Sequence, residues 1–560
     1  MSRMLSAWGS KVPEIPWEVY PRPQMKRKEW QCLNGIWELQ IRNQVHRVRV
    51  PFCPESLLSG MEPVPEIGAQ MEYRKNFRIP EKWKGKRILV HFGAVMGASA
   101  VLVNGIKVTE NRNGYLPFEA DITDQLIAGD NVLSVQVTND LDPRWPWGKQ
   151  SARRGGMWYT PCSGIWQTVW LEPVPERYFR SVEITTGLNY AEIFAEGIPN
   201  GELLLNGKQV PLRNGRARVE LEDPILWSPE NPYLYFFTLS GEEDSINSYF
   251  ALRTLSTQTV DGIPRLCLNG KPYFFHGLLD QGYWSDGLYT APDPSCYETE
   301  ILAMKSLGFN MLRKHIKIEP EQFYYDCDRL GMIVFQDMVN NGRYRFLRDT
   351  LLPTLHMKGR KDDRLNPDGV TRRNFLSSME GTVRLLKNHP SICLWTVFNE
   401  GWGQFRADDA YRRLKEIDAN RWIDSTSGWF KQTLSDVESS HIYFGKLHLG
   451  REKRPQFLSE YGGYVWKIPE HSFNQEKTYG YRIYRSRDAY VCGMRKLLEK
   501  VEELAGQGLC GAVYTQVSDV EDETNGLYTF DRAVLKLKPE EIRDISERIL
   551  ESVQHAAQRK

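Results

Sequence analysis

Two patterns along the 560-residue chain predict a multidomain β plus α/β fold. Short β-rich runs broken by turn residues fill the first part, and apolar strand runs alternating with helical periods fill the rest. The expected architecture is an N-terminal β jelly-roll sandwich over residues 1–175, an immunoglobulin-like β-sandwich over 176–256 and a C-terminal catalytic (β/α)8 TIM barrel over 257–560.

Each element has its own signal. In the first region the runs Leu89–Phe92 and Ala100–Val103 are β-rich, and Asn104-Gly105 directly after the second is a strong two-residue hairpin signal. Val132–Val137 alternates apolar and polar, Ile165–Glu172 supplies a last block, and Pro173 and Pro175 mark a boundary. Four or five further strands are expected up to about residue 256, among them Ser181–Ile184, Leu203–Leu205 before Asn206-Gly207, and Tyr233–Leu239. Eight strand candidates follow: Tyr273–His276, Asn310–Arg313, Ile333–Gln336, Ile392–Phe398, Trp422–Ser425, His441–Tyr443, Phe457–Ser459 and Ala512–Thr515. Helical periods such as Tyr297–Leu307, Glu319–Leu330, Arg372–Lys387, Ala407–Ile417, Ala489–Ala505 and Pro539–Glu551 lie among them.

Composition narrows the function. Lys and Arg number 72 against 71 Asp and Glu, a net charge of +1, which argues against a nucleic-acid partner and against a polybasic membrane face. The start of the chain has no apolar leader core and no 18-residue apolar run occurs, so a cytoplasmic protein is expected. Nine cysteines without a C-x-x-C pair fit free thiols in a reducing compartment. The 17 Trp and 26 Tyr serve core packing, and also suit sugar rings, which stack on indoles.

In a barrel the chemistry gathers at the C-terminal ends of the strands. Glu400 and Glu460 each follow an apolar run there, where a carboxylate needs partners or a task. Two carboxylates across one mouth are what glycoside hydrolysis requires, one to protonate the leaving oxygen and one to attack the anomeric carbon or position water. Other polar strand ends converge on the same mouth: His276 with Asp280, Gln281, Tyr283 and Trp284; Arg313, His315 and Lys317; Gln336 and Asp337; Trp402; His441 and Tyr443; Gln516 and Asp519. A sugar's hydroxyls need such a ring of donors and acceptors. No metal-ligand motif, phosphate-binding glycine loop or G-x-S-x-G elbow is present, so no metal and no cofactor are expected.

The motifs together resemble glycoside hydrolase family 2, the retaining exo-β-glycosidases that include β-galactosidases, β-glucuronidases and β-mannosidases. The resemblance runs from Arg22-Pro23-Gln24 through Leu33–Trp37, Ser163–Gln167, Gly308–His315 and Asp328–Met332 to Asn388–Ile392, Trp395–Glu400 and Ser459–Gly463. It implies Glu400 as general acid/base, Glu460 as nucleophile, Asn399 on the sugar 2-hydroxyl, Arg313 and His315 near nucleophile and sugar, and Tyr443 on the nucleophile. The Asn-x-Lys element of the family's glucuronidases is not found after Glu460, since Asn474 precedes Gln475-Glu476 and Asn525 precedes Gly526-Leu527. The expected activity is therefore β-galactosidase-like, acting on terminal non-reducing sugars of an oligosaccharide or glycoside. The loop Leu279–Trp284 resembles a compact subgroup with α-L-arabinofuranosidase and β-galactofuranosidase activities, which stands as the alternative. A β-glucuronidase or a non-catalytic carbohydrate-binding protein ranks below both, and a homo-oligomer is compatible with the sequence.

Overall fold

The computed structural model describes residues 4–351, 361–366, 368–450 and 453–558. Near the N-terminus a six-stranded antiparallel sheet, built on the long pair Gln70–Arg78 and Asp130–Thr138, faces a four-stranded sheet centred on Arg87–Phe92 and Val169–Val174. Strand alternation turns Trp37, Tyr73, Val90, Val101, Val135 and Leu171 into one buried core between them. Asn104-Gly105 makes the expected tight hairpin, with both residues at positive φ, 51° and 82°.

The next region holds seven strands in sheets of three and four, more than the four or five expected. Lys208–Leu212 and Arg216–Glu220 escape a reading by hydrophobic runs because only alternate side chains are apolar. A small sheet of Leu255–Val260, Ile263–Leu268 and Lys271–Pro272 then leads into the barrel.

The barrel strands are β1 (Phe275–Asp280), β2 (Met311–Lys314), β3 (Ile333–Asp337), β4 (Ile392–Asn399), β5 (Trp422–Ser427), β6 (Glu438–Ile442), β7 (Gln456–Gly462) and β8 (Leu509–Thr515). They pair in parallel in the order β5-β4-β3-β2-β1-β8-β7-β6. The seam between β5 and β6 has no backbone ladder; the Ser439 hydroxyl bridges it, donating to Asp424 Oδ1 at 3.0 Å. Helices pack outside, including α1 (Ser295–Ser306), α2 (Glu321–Leu330), α3 (Gly369–Leu386), α4 (Ala407–Ile417), α5 (Arg487–Gln507) and α6 (Pro539–Gln558). Asp368 caps α3 by accepting the Thr371 N–H at 2.9 Å, and Ser486 caps α5 through Ala489. None of the described helices is long and apolar enough to cross a membrane. All nine cysteines are unpaired and seven are buried.

Inside the barrel, the end nearest the entering chain is aromatic and the far end is charged. Phe275 meets Phe335 and Trp422, with ring centres 5.3 and 5.5 Å apart, and Phe335 meets Phe457. Toward the far ends of the strands sit Arg313 on β2, Asp337 on β3, Asn399 on β4, Asp424 on β5 and Glu460 on β7, all buried. Strand β1 runs to Asp280 rather than ending at His276. His276 therefore lies early in the strand and on its helix-facing side, stacked on Phe309 and 3.2 Å from the Ser546 hydroxyl of α6. Burial lowers its pKa to about 3, so it is a neutral packing residue away from the mouth.

Candidate active site

Strand β7 carries Glu460 into the barrel through an irregularity. Its pairing with β8 slips between Leu458 and Tyr461, inserting an extra residue beside Glu460. A bulge of this kind breaks the two-residue alternation and re-aims a side chain. Strand β4 presents Glu400 differently. Glu400 stands just past the strand at φ 51°, followed by Gly401 at φ 73°, where a Cβ would fall 2.2 Å from the Phe430 ring. A non-glycine residue in the left-handed region is uncommon and is found where surrounding structure holds it for a purpose.

Arg313 organises the floor. Its guanidinium donates to both oxygens of Asp337 at 2.9 and 3.0 Å, to Glu460 Oε1 at 3.1 Å, to the Ser459 carbonyl at 2.9 Å and to Asn399 Oδ1 at 2.8 Å. One cation thus fixes strand ends β3, β4 and β7. His315 Nδ1 lies 2.7 Å from Asp337 Oδ2, and the Tyr443 hydroxyl donates to Glu460 Oε2. Tyr443 is itself stacked on Tyr481 with ring centres 3.7 Å apart.

His441 stands between the two carboxylates. Nδ1 is 2.8 Å from Glu400 Oε1, while Nε2 is 3.1 Å from the Ser427 hydroxyl and 3.6 Å from Glu460 Oε1. One carboxylate oxygen from each glutamate and a nitrogen of His441 all lie within 4.8 Å of one another. These donor types could in principle hold a metal ion. Each Glu460 oxygen already has a protein donor, the Arg313 cation on Oε1 and the Tyr443 hydroxyl on Oε2.

Electrostatics fixes the charge of Glu460. Burial alone would push the Glu460 pKa up, but the His441 and Arg313 charges, His315 and the Tyr443 hydrogen bond together lower it to about 2, so it stays ionised. Burial likewise opposes ionisation of Asp337, and Arg313 and His315 overcome it. Asp424, at the β5–β6 seam, has weaker compensation, and burial raises its pKa to about 6. Burial lowers the pKa of His315 and raises that of Tyr443 well above the ordinary value.

Of the residues singled out from the sequence, Arg313, His315, Asp337, Asn399, Glu400, His441, Tyr443 and Glu460 are brought together. Trp402 joins them, its ring edge-on to His315 at 6.5 Å and beside Trp158 at 5.4 Å. The others lie in the packing around the mouth. Lys317 donates to the Gly282 and Tyr289 carbonyls at 2.6 and 2.7 Å and to Glu319, tying down the loop after β1. Gln281 is buried in that loop, Tyr283 packs between Tyr159 and Tyr289, and Trp284 packs against Trp8 under the Arg532 guanidinium. Gln516 donates to Asn525 Oδ1 at 2.8 Å, Gln336 accepts from Tyr324, Asp280 pairs with Lys314 and Asp519 with Lys536. Asp424, Ser427, Tyr481 and Trp158 were not singled out. A signal existed for Asp424, a carboxylate inside the apolar run Trp422–Ser425, but none for Tyr481, which is far in sequence from the end of any barrel strand.

The site and fold can be set beside known proteins. Residues 57–175 match the model of the glycosyl hydrolases family 2 sugar binding domain, and residues 261–464 match that family's TIM barrel domain. The β-galactosidase of Thermoanaerobacter pseudethanolicus is 23% identical over 463 residues, covering 73% of this chain and 58% of its own length. The β-glucuronidase of Felis catus is 25% identical over 447 residues, covering 68% of this chain and 65% of its own. The chain thus matches less than two thirds of either relative. The structure of a β-D-glucuronidase from Dictyoglomus thermophilum superposes with a TM-score of 0.72 at 19% identity, over 95% of this chain and 98% of the other. Two models of one family, together matching more than half of the sequence, establish that the chain belongs to glycosyl hydrolases family 2.

Proposed function

We propose that the protein is an exo-acting glycoside hydrolase that works with retention, Glu460 serving as nucleophile and Glu400 as general acid/base. The carrying observation is the close pair: carboxylate oxygens of Glu400 and Glu460 lie within 4.8 Å. Retaining enzymes hold their carboxyls about 5–5.5 Å apart, whereas inverting enzymes need about 6.5–9.5 Å to admit a water. In the first step Glu400 gives its proton to the glycosidic oxygen as the bond to the anomeric carbon breaks. An ionised Glu460 oxygen bonds to that carbon, forming a glycosyl ester. In the second step Glu400 takes a proton from water, whose oxygen attacks the same carbon and releases Glu460.

The neighbours support these roles. Arg313 and Tyr443 keep Glu460 ionised and oriented. His441 bridges the pair, with Nδ1 at 2.8 Å from Glu400 Oε1 and Nε2 at 3.1 Å from the Ser427 hydroxyl, and so holds Glu400 in place beside Glu460. Arg313 also orients Asn399, whose amide nitrogen is left to a sugar hydroxyl.

For the sugar, the leading reading is a terminal β-galactose-like unit. It draws on the β-galactosidase relative and on the lack of an Asn-x-Lys element after Glu460. A panel of 4-nitrophenyl β-D-galactoside, β-D-glucuronide, β-D-galacturonide, β-D-mannoside and α-L-arabinofuranoside tests it. Fastest release from the galactoside is expected; faster release from another member replaces the sugar, and no release from any member overturns the hydrolase reading.

A further inference from the structure

Four lysines are buried among the described residues, and three of them have carboxylate partners. Lys314 pairs with Asp280 and Glu319, Lys317 with Glu319, and Lys536 with Asp519. The fourth, Lys149, is 7% exposed, and no described acceptor or carboxylate lies within hydrogen-bond or ion-pair reach of its ammonium. With the stem buried and no described protein partner for the ammonium, its three N–H donors are left to whatever occupies the space beside it.

Its position indicates what that is. Lys149 belongs to residues 139–160, which leave the N-terminal sheets and cross the barrel mouth. Trp147 anchors one side, its backbone N–H to the Asn340 carbonyl at 3.1 Å and its indole N–H to the Gly342 carbonyl at 3.0 Å, in the loop after β3. The other side is anchored after β8, where Tyr159 donates to Glu523 and the Thr160 N–H donates to Glu521 at 2.8 Å. Between these anchors the Lys149 nitrogen stands 5.8 Å from the centre of the Trp402 ring, two residues past Glu400, and 5.5 Å from that of Tyr159. Its charge is also near enough to His315, past β2, to help lower that imidazole's pKa. Trp402 past β4, His315 past β2 and Tyr159, itself bonded to Glu523 past β8, surround the ammonium and put it over the mouth. The two rings stabilise the cation but accept none of its three N–H bonds.

Resting on the glycosidase reading above, we propose that Lys149 is a specificity-determining residue that donates hydrogen bonds to oxygens on the edge of the terminal sugar farthest from the anomeric carbon, C4 to C6 in a pyranose. With C1 between Glu400 and Glu460, that edge is the part of the ring left to face the crossing loop. The same loop closes the mouth beyond it and favours a chain end over an internal unit. The engaged oxygen can be a hydroxyl or a C6 carboxylate.

The test uses the full chain, the fastest-cleaved glycoside of the panel, and that glycoside's 4-deoxy and 6-deoxy analogues. In the wild type, kcat/KM is expected to fall at least about tenfold on one analogue, because a donor left facing a missing oxygen is unpaired. Lys149→Met, which keeps length and apolar contacts, is expected to lose kcat/KM on the parent glycoside and to treat parent and analogue alike. A Lys149→Met enzyme that is slower on both by the same factor overturns the proposal while leaving the hydrolase reading intact. A wild type indifferent to both deletions overturns it without any variant. Cleavage of no panel member overturns both readings together. The ratio of uronide to galactoside turnover separates the two oxygens: if Lys149→Met collapses it the partner is the carboxylate, and if it leaves it unchanged while erasing deoxy discrimination the partner is a hydroxyl.

Discussion

Glu400 and Glu460 are the same residue type at the ends of two strands of one barrel, and their surroundings differ in every respect that decides chemistry. The Glu460 side chain is 6% exposed and meets a guanidinium, a phenol and two imidazoles, and its pKa is lowered to about 2. The Glu400 side chain is 16% exposed, sits past its strand in a left-handed turn, and has His441 as its one hydrogen-bond partner among the described residues. A carboxylate locked in its ionised form is suited to attack carbon. One held by a single adaptable partner near the opening is suited to exchange protons. On the proposed mechanism, environment rather than residue identity divides the labour.

The largest expected effect comes from removing the locked member. Glu460→Gln keeps the shape and the Arg313 contact but cannot form the glycosyl ester, and kcat is expected to fall at least about 10³-fold on every substrate. Activity above about a tenth of wild type would erase the distinction between the two glutamates.

Glu400→Ala is expected to depend on the leaving group. Alkyl glycosides should lose about 10²–10⁴-fold, and dinitrophenyl glycosides far less, because a stable phenolate departs without a proton. Added azide is expected to restore turnover by attacking the intermediate. Equal losses on both substrates and no rescue would remove Glu400 from its role.

Tyr443→Phe weakens the lock without removing it. The hydroxyl donates to the ionised carboxylate, so it lowers the Glu460 pKa, and its loss raises that pKa. The acid limb of the kcat/KM profile should therefore move to higher pH, with kcat reduced about tenfold for one charge-assisted hydrogen bond. An unmoved acid limb would mean that Tyr443 does not control Glu460.

The smallest expected effect lies at the barrel seam. Burial raises the Asp424 pKa to about 6, above its unfolded value, so Asp424 binds more protons folded than unfolded between these values. Its contribution to stability then falls as pH rises through about 6. Relative to wild type, Asp424→Asn should gain thermal stability between pH 5 and pH 8 by a few degrees or less, read as the change in Tm difference. A difference constant with pH would assign no titration to Asp424.

The architecture was readable because long apolar runs and hairpin dipeptides report local geometry, and local geometry sets most of this fold. The proposed pair, Glu400 and Glu460, was visible for the same reason: a glutamate closing an apolar strand can be seen in one dimension. What escaped depends on contacts between distant segments. Lys317 and Trp284 follow the ends of β2 and β1 closely, yet Lys317 bonds to Glu319 and Trp284 packs on Trp8. His441 was visible as a polar strand end, but its place between two glutamates depends on the twist of β6 against β4 and β7. Lys149 lies before even the immunoglobulin-like region, and only folding brings it over Trp402. The short helix-facing start of β1 was misjudged because Tyr273-Phe274-Phe275 reads as strand while the ladder begins only at Phe275.

The central claim, that Glu460 forms a covalent intermediate beside a proton-exchanging Glu400, is tested most directly by the configuration of the first sugar released. Proton NMR of the reaction, recorded before mutarotation, should show the anomer of the substrate, since two inversions in sequence restore the starting configuration. First appearance of the opposite anomer would contradict the account.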